Sequence, residues 1–126
     1  MTGPLTGVPV GPYSPAVRAG GWVVTSGQLG TVPGRDGRPV LVEGGTGPQL
    51  RQALANLAGV LSSRGVALAD VVKATVFLVD MADFSLVNEI WVAHLPAPAP
   101  ARSAVGVAAL PLGARVEVEA WAYAWA

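Results

Sequence analysis

Cysteine is absent from this chain of 126 residues, which excludes disulfides, thiolate nucleophiles and cysteine metal sites and leaves the redox compartment open. Histidine occurs once, as His94. A Ser-His-Asp triad or a histidine metal site would have to use it, and neither a second histidine nor a carboxylate triplet stands nearby. His94 therefore reads as a helix-end side chain near a C-terminal dipole, and no metal is expected. Lysine also occurs once, as Lys73, and eight basic residues balance eight acidic ones. Without a basic stripe to neutralise phosphates, nucleic acid is not an expected partner. No apolar run reaches the roughly 18 residues that a membrane span needs. The first basic residue is Arg18, so the basic start of a signal peptide is missing too. The expectation is a soluble, cytoplasmic protein.

Charge is scarce, at 13% of residues, and mean hydropathy is positive. A monomer whose whole surface faces water normally carries more charge, so part of the surface is expected to be covered by further copies of the chain. Apolar residues make up 52%, enough for one core, and no repeat or linker divides residues 1–126, which read as a single domain.

Residues 1–12, rich in Gly and Pro, predict an irregular lead-in. Strands are expected at 14–18 and 22–28, joined at Ala19-Gly20-Gly21. The Gly- and Pro-rich stretch 31–47 predicts a long loop with a short extended piece at 40–42. A helix is predicted over 46–64. Thr46 and Gln49 suggest a capping box, Leu50, Ala53, Leu54, Leu57, Ala58 and Leu61 form one apolar face, and Gly65 ends the helix. A strand at 71–79 follows, then a helix over about 82–94 capped by Asp80 or Asp83, with Phe84, Val87 and Trp91 on its apolar stripe. Three alternating prolines make 95–100 an extended loop.

Two final strands are expected at 102–108 and 115–125. In the last, the even positions Val116, Val118, Ala120, Ala122 and Ala124 are small and apolar. The odd positions carry Arg115, Glu117, Glu119, Trp121, Tyr123 and Trp125, a face too apolar for water and too charged for a closed core. The order β-β-α-β-α-β-β predicts an α+β sandwich, a sheet with two helices on one face and an open face that needs a partner.

Gly27–Gly30 has neither Walker nor Rossmann spacing, so no nucleotide cofactor is expected. Arg102 and Glu117 remain. An arginine fork matches a carboxylate through two parallel hydrogen bonds, and Arg102 stands where a proline-rich loop becomes a strand. Taken alone, each of the two is more often a surface or ion-paired residue, and their spacing does not by itself define a site.

Four stretches resemble the reactive intermediate deaminase (YjgF) family in that family's order: Gly11-Pro12-Tyr13-Ser14; Ser26-Gly27-Gln28; 72–80 running on to Phe84 and Asn88; and Pro100-Ala101-Arg102-Ser103 with Val116-Glu117-Val118-Glu119. The resemblance implies a chorismate-mutase-like fold with a mixed sheet, a homotrimer with clefts between subunits, and cofactor-independent hydrolysis of enamines and imines such as 2-aminoacrylate to 2-keto acids and ammonia. By position, Arg102 would clamp the substrate carboxylate and Glu117 would hold and deprotonate the attacking water. The backbone at Gly27 and Ala104 would hold the substrate, with Tyr13, Ser26 and Asn88 lining the cleft. Glu119 would pair with an arginine. Three features depart from the family pattern: Ala104 replaces a frequent cysteine, the segment between Asn88 and Arg102 is about three residues short, and Pro15 stands where glutamine is usual. The rival readings are a carboxylate-binding trimer without turnover and an RNA-cleaving enzyme.

Overall fold

The computed structural model describes residues 11–125. Strands β1 (Ala16–Ala19), β2 (Trp22–Thr25) and β3 (Gln28–Leu29) are followed by the hairpin β4 (Thr31–Pro33) and β5 (Pro39–Leu41), helix α1 (Thr46–Ser62) and β6 (Val71–Leu78). Helix α2 (Phe84–His94), β7 (Ala101–Gly106) and β8 (Val116–Tyr123) complete the order. The main sheet runs β1-β2-β8-β6-β7, with β3 also paired to β8. Among the described residues only β6 and β7 pair in parallel, joined by the crossover through α2, so the sheet is mixed. Of the lead-in expected over 1–12, residues 1–10 lie outside the described residues.

The last strand organises this layout because it alternates as its sequence requires. Val116, Val118, Ala120 and Ala122 are fully buried, and they share one core cluster with Leu50, Leu54, Leu57 and Leu61 of α1 and with Val87, Ile90 and Trp91 of α2. Both helices thus cover one face. On the other face Trp121 stays 47% exposed, and Trp22 meets Trp121 and Tyr123 edge-to-face at centroid distances of 5.9 and 5.1 Å. Val17, Val105 and Trp125 are exposed as well. No helix among the described residues is long and apolar enough to cross a membrane.

Several local expectations are corrected. The stretch read as a loop from residue 31 contains the β4–β5 hairpin. Its prolines, Pro33 and Pro39, face each other at the turn end of a two-stranded ladder where missing N–H groups disturb little. Thr46 and Gln49 form no capping box, because Gly45 occupies the cap. The Thr46 hydroxyl instead donates to Asp83 and accepts from Arg115 Nε at 3.1 Å, while Gln49 Oε1 accepts from the Arg115 backbone N–H at 2.9 Å. These two buried side chains tie the start of α1 to the start of β8. Helix α1 closes as expected at Gly65 (φ 79°), with Val66 N–H bonded to the Leu61 carbonyl and Gly65 N–H to that of Ser62. Before α2 comes a 3-10 turn at Met81–Asp83, whose first free N–H, on Ala82, is capped by Asp80 at 2.9 Å.

The expected strand 22–28 is broken. After Val24 pairs with Trp121, β2 leaves the ladder, and β3 resumes it at Gln28–Val118. The Ala120 N–H facing the break is satisfied by the Thr25 hydroxyl at 3.1 Å. Residues Ser26 and Gly27 bulge out between them. Just beyond, buried Asn56 donates to the carbonyls of Leu29 and Thr31, both at 2.9 Å, and pins the turn between β3 and β4 to α1. Asn56→Ala leaves two carbonyls without this donor and is expected to destabilise the chain by about 2–3 kcal/mol, measured by urea denaturation.

Candidate active site

The candidate residues fall into two clusters on opposite faces of the sheet. The first surrounds Glu117, on the open face of β8 opposite Leu29 and Phe77. The bulged Gly27 lies over its carboxylate: a methyl group at Gly27 would stand 2.5–2.7 Å from the Glu117 carboxyl atoms. Only glycine therefore lets backbone and carboxylate meet here. Ser26 shares the bulge, but its hydroxyl donates to the Ser14 carbonyl at 2.5 Å and its N–H to that of Pro15 at 2.9 Å. Ser26 thus fastens the approach segment beside the bulge. Tyr13 lies on that segment, 46% exposed. Burial, and secondarily the charge of Glu119 two residues on, raises the Glu117 pKa above its ordinary value of 4.5. Glu119 has no ion-pair partner among the described residues, so the expected arginine is not found within this chain.

The second cluster surrounds Arg102 on the helix-covered face of β7. Its Nη2 donates to Asn88 Oδ1 at 2.7 Å, and its guanidinium carbon lies 5.2 Å from the Trp91 ring centroid and 5.6 Å from that of Phe84. Phe84, Asn88 and Trp91 are spaced i, i+4 and i+7 on α2 and so present one stripe to β7. Phe84, expected in the core, is 38% exposed, because its ring packs on the guanidinium rather than under the sheet. The role of Phe84 and Trp91 beside Arg102 was not read from the sequence. The signal available was Asn88 sharing their stripe, a polar residue inside an apolar periodicity.

Ala104 lies on the same face as Arg102, two residues along. Val107 N–H bonds to the Leu78 carbonyl. By the alternation of a parallel ladder, the even residues of β7 turn their N–H and C=O groups away from β6, toward the sheet edge. Ala104 thus offers a backbone donor beside Arg102. Ser103 points to the opposite face, where it accepts from Lys73 Nζ at 2.8 Å.

The two clusters do not meet within one chain. Glu117 is in register with Phe77 and Val105, while Arg102 lies three residues from Val105 and therefore on the other face. His94 ends α2 with Nδ1 on the Ile90 carbonyl at 2.8 Å. Among the described residues no three His, Cys, Asp or Glu side chains gather into a metal-sized group.

This arrangement, an arginine held by neutral groups and a remote half-buried carboxylate under a glycine, coincides with a family match over residues 6–124, to the family described as Endoribonuclease L-PSP. The chain is 47% identical over 111 residues to the 2-iminobutanoate/2-iminopropanoate deaminase of Mus musculus, covering 88% of this chain and 80% of that one. It is 41% identical over 115 residues to a RutC family protein of Pyrococcus horikoshii, covering 91% and 89%. Of solved structures, RidA from the Antarctic bacterium Psychrobacter matches with a TM-score of 0.84 at 45% identity, covering 91% of this chain and 90% of that one. The chain belongs to the Endoribonuclease L-PSP family, the group that also carries the names YjgF and RidA.

Two outcomes follow from the Glu117 cluster. A methyl at Gly27 meets only the flexible end of Glu117, so Gly27→Ala is expected to fold with little loss of stability while turning the carboxylate aside; far-ultraviolet circular dichroism and thermal melts check the first part. Between 4.5 and its raised pKa, Glu117 holds more proton in the folded chain than in the unfolded one, so stability falls as pH rises through that window. Glu117→Gln removes this, and its melting temperature is expected to exceed the parent's at neutral and alkaline pH and to match it below 4.5.

Proposed function

We propose that this chain hydrolyses reactive 2-imino acids, and their enamine tautomers such as 2-aminoacrylate, to 2-keto acids and ammonia without a cofactor. The observation that carries this reading is Arg102. Its guanidinium is flanked by two aromatic rings and one amide oxygen, and no carboxylate of the described residues pairs with it. Arginine has five N–H donors, and one faces Asn88. The rest are suited to an incoming carboxylate, which the N–H at Ala104 would also reach.

A clamped imino acid needs little else. Water, held by Glu117 and the backbone at Gly27, adds its oxygen to the imine carbon while Glu117 takes a proton. Glu117 then returns that proton to the nitrogen of the carbinolamine and takes the one on its hydroxyl, so that the carbon–nitrogen bond breaks, ammonia leaves and the carbonyl forms. The raised pKa of Glu117 makes it a stronger base than an exposed carboxylate.

Because Arg102 and Glu117 face opposite ways, one copy would supply the arginine and its neighbour the glutamate. We propose a homotrimer of single-domain subunits, residues 1–126, closed through the face that bears Trp22, Trp121, Glu117 and Glu119. Scarce charge and exposed aromatics on that face support the assembly. Tyr13 then lines the cleft from the approach segment. The bovine, mouse and human relatives named 2-iminobutanoate/2-iminopropanoate deaminase support the choice of substrate class. The family's endoribonuclease description is not favoured here, since acidic and basic residues balance at eight each.

The test generates 2-aminoacrylate with a serine dehydratase and traps surviving imine with semicarbazide. Added protein is expected to reduce trapping, and Arg102→Ala to lower kcat/KM about a hundredfold or more. No effect on trapping with imines from several amino acids would reject the reading.

A further inference from the structure

The two rings beside Arg102 point to a role that the clamp itself does not explain. Seven residues along a helix rise about 10.5 Å. The Arg102 guanidinium carbon lies over both ring faces, 5.2 Å from the Trp91 centroid and 5.6 Å from that of Phe84, so two turns of one helix each bring a ring to the same cation. Trp91 is 4% exposed and forms the inner wall; Phe84 is 38% exposed and forms the outer one. The Asn88 oxygen takes one N–H from the edge.

The chemistry of these partners matters. Arginine side chains in proteins are most simply held by a carboxylate, as Arg115 is by Asp83 at 3.5 Å and Asp80 at 3.8 Å. A carboxylate, however, occupies the fork that a substrate anion must use. Ring faces attract the cation through their quadrupole and leave its N–H edge free. A neutral amide fixes rotation about the side-chain axis without cancelling charge. The result is an arginine that is oriented and still electrostatically unsatisfied.

Resting on the reading of Arg102 above, we propose that Phe84 and Trp91 are positioning residues for the carboxylate clamp. Their rings set the plane of the guanidinium, so that the edge not facing Asn88 meets the two oxygens of the imino acid. Neither ring touches the reacting carbon. The carboxylate contact is the same in bound substrate and transition state, so loosening it weakens binding and leaves the chemical step nearly intact.

The experiment compares Phe84→Leu, Trp91→Leu and Trp91→Phe in the imine assay, with pyruvate binding measured by calorimetry and Val92→Ala, 76% exposed on the same helix, as control. Both leucine variants keep apolar bulk and remove the ring. Each is expected to raise KM and the pyruvate dissociation constant about tenfold with kcat within about twofold of the parent, while Trp91→Phe restores parental KM. Phe84→Leu carries the test if Trp91→Leu fails to fold, since Phe84 is the more exposed. Unchanged KM in the leucine variants, or a fall in kcat alone, overturns the proposal. Full activity of Arg102→Ala is a different result, and rejects the clamp rather than its positioning.

Discussion

Burial of the small, even-numbered side chains of β8 under α1 is the constraint on which the rest depends. Val116, Val118, Ala120 and Ala122 have no exposed surface, and the strand that carries them pairs with β2, β3 and β6. Once that face is fixed inward, strand alternation leaves Glu117, Glu119, Trp121 and Tyr123 no choice but the open side. Arg102 is fixed by the same logic two strands away, on the face that α2 crosses. The positions of both candidate groups follow from one apolar periodicity, since a slip of one residue would exchange the faces.

A second tie keeps the ends of these elements together. Thr46, Gln49, Asp83 and Arg115 come from the start of α1, the turn before α2 and the start of β8. Thr46 and Gln49 are buried and satisfied. Buried polar groups without partners are costly, so this cluster specifies one mutual arrangement of the three segments.

Much of this was legible in the sequence, and the failures share a cause. Helix α1, strand β6 and the two faces of β8 carry strong local periodicities, which tertiary structure did not override. The two-helix, one-sheet arrangement followed from their order. The capping box failed because Thr46 and Gln49 find partners 37 and 66 residues away, beyond any local pattern. The break at Ser26-Gly27 was invisible because its compensation, the Thr25 hydroxyl on Ala120, lies 95 residues off. Arg102, Asn88 and Glu117 were singled out by resemblance. That Arg102 and Glu117 face opposite ways needed the register of β6 with both neighbours. Phe84 read as core because a ring that holds a cation has the same spacing as rings that fill a core, and Trp91, which is core, holds the cation as well.

Opposite faces of one sheet cannot turn toward each other. On the proposed trimer, a reaction that uses Arg102 and Glu117 together would belong to more than one chain, and its rate would answer to mass action as well as to folding. Dilution below the dissociation constant of that trimer would silence every copy while each remained folded. Two chains, one lacking the arginine and one the glutamate, would regain active clefts on mixing, at the boundaries where intact halves adjoin. The unit on which selection acts would then be the boundary between subunits, and a substitution anywhere on the aromatic face would be a substitution in the active site.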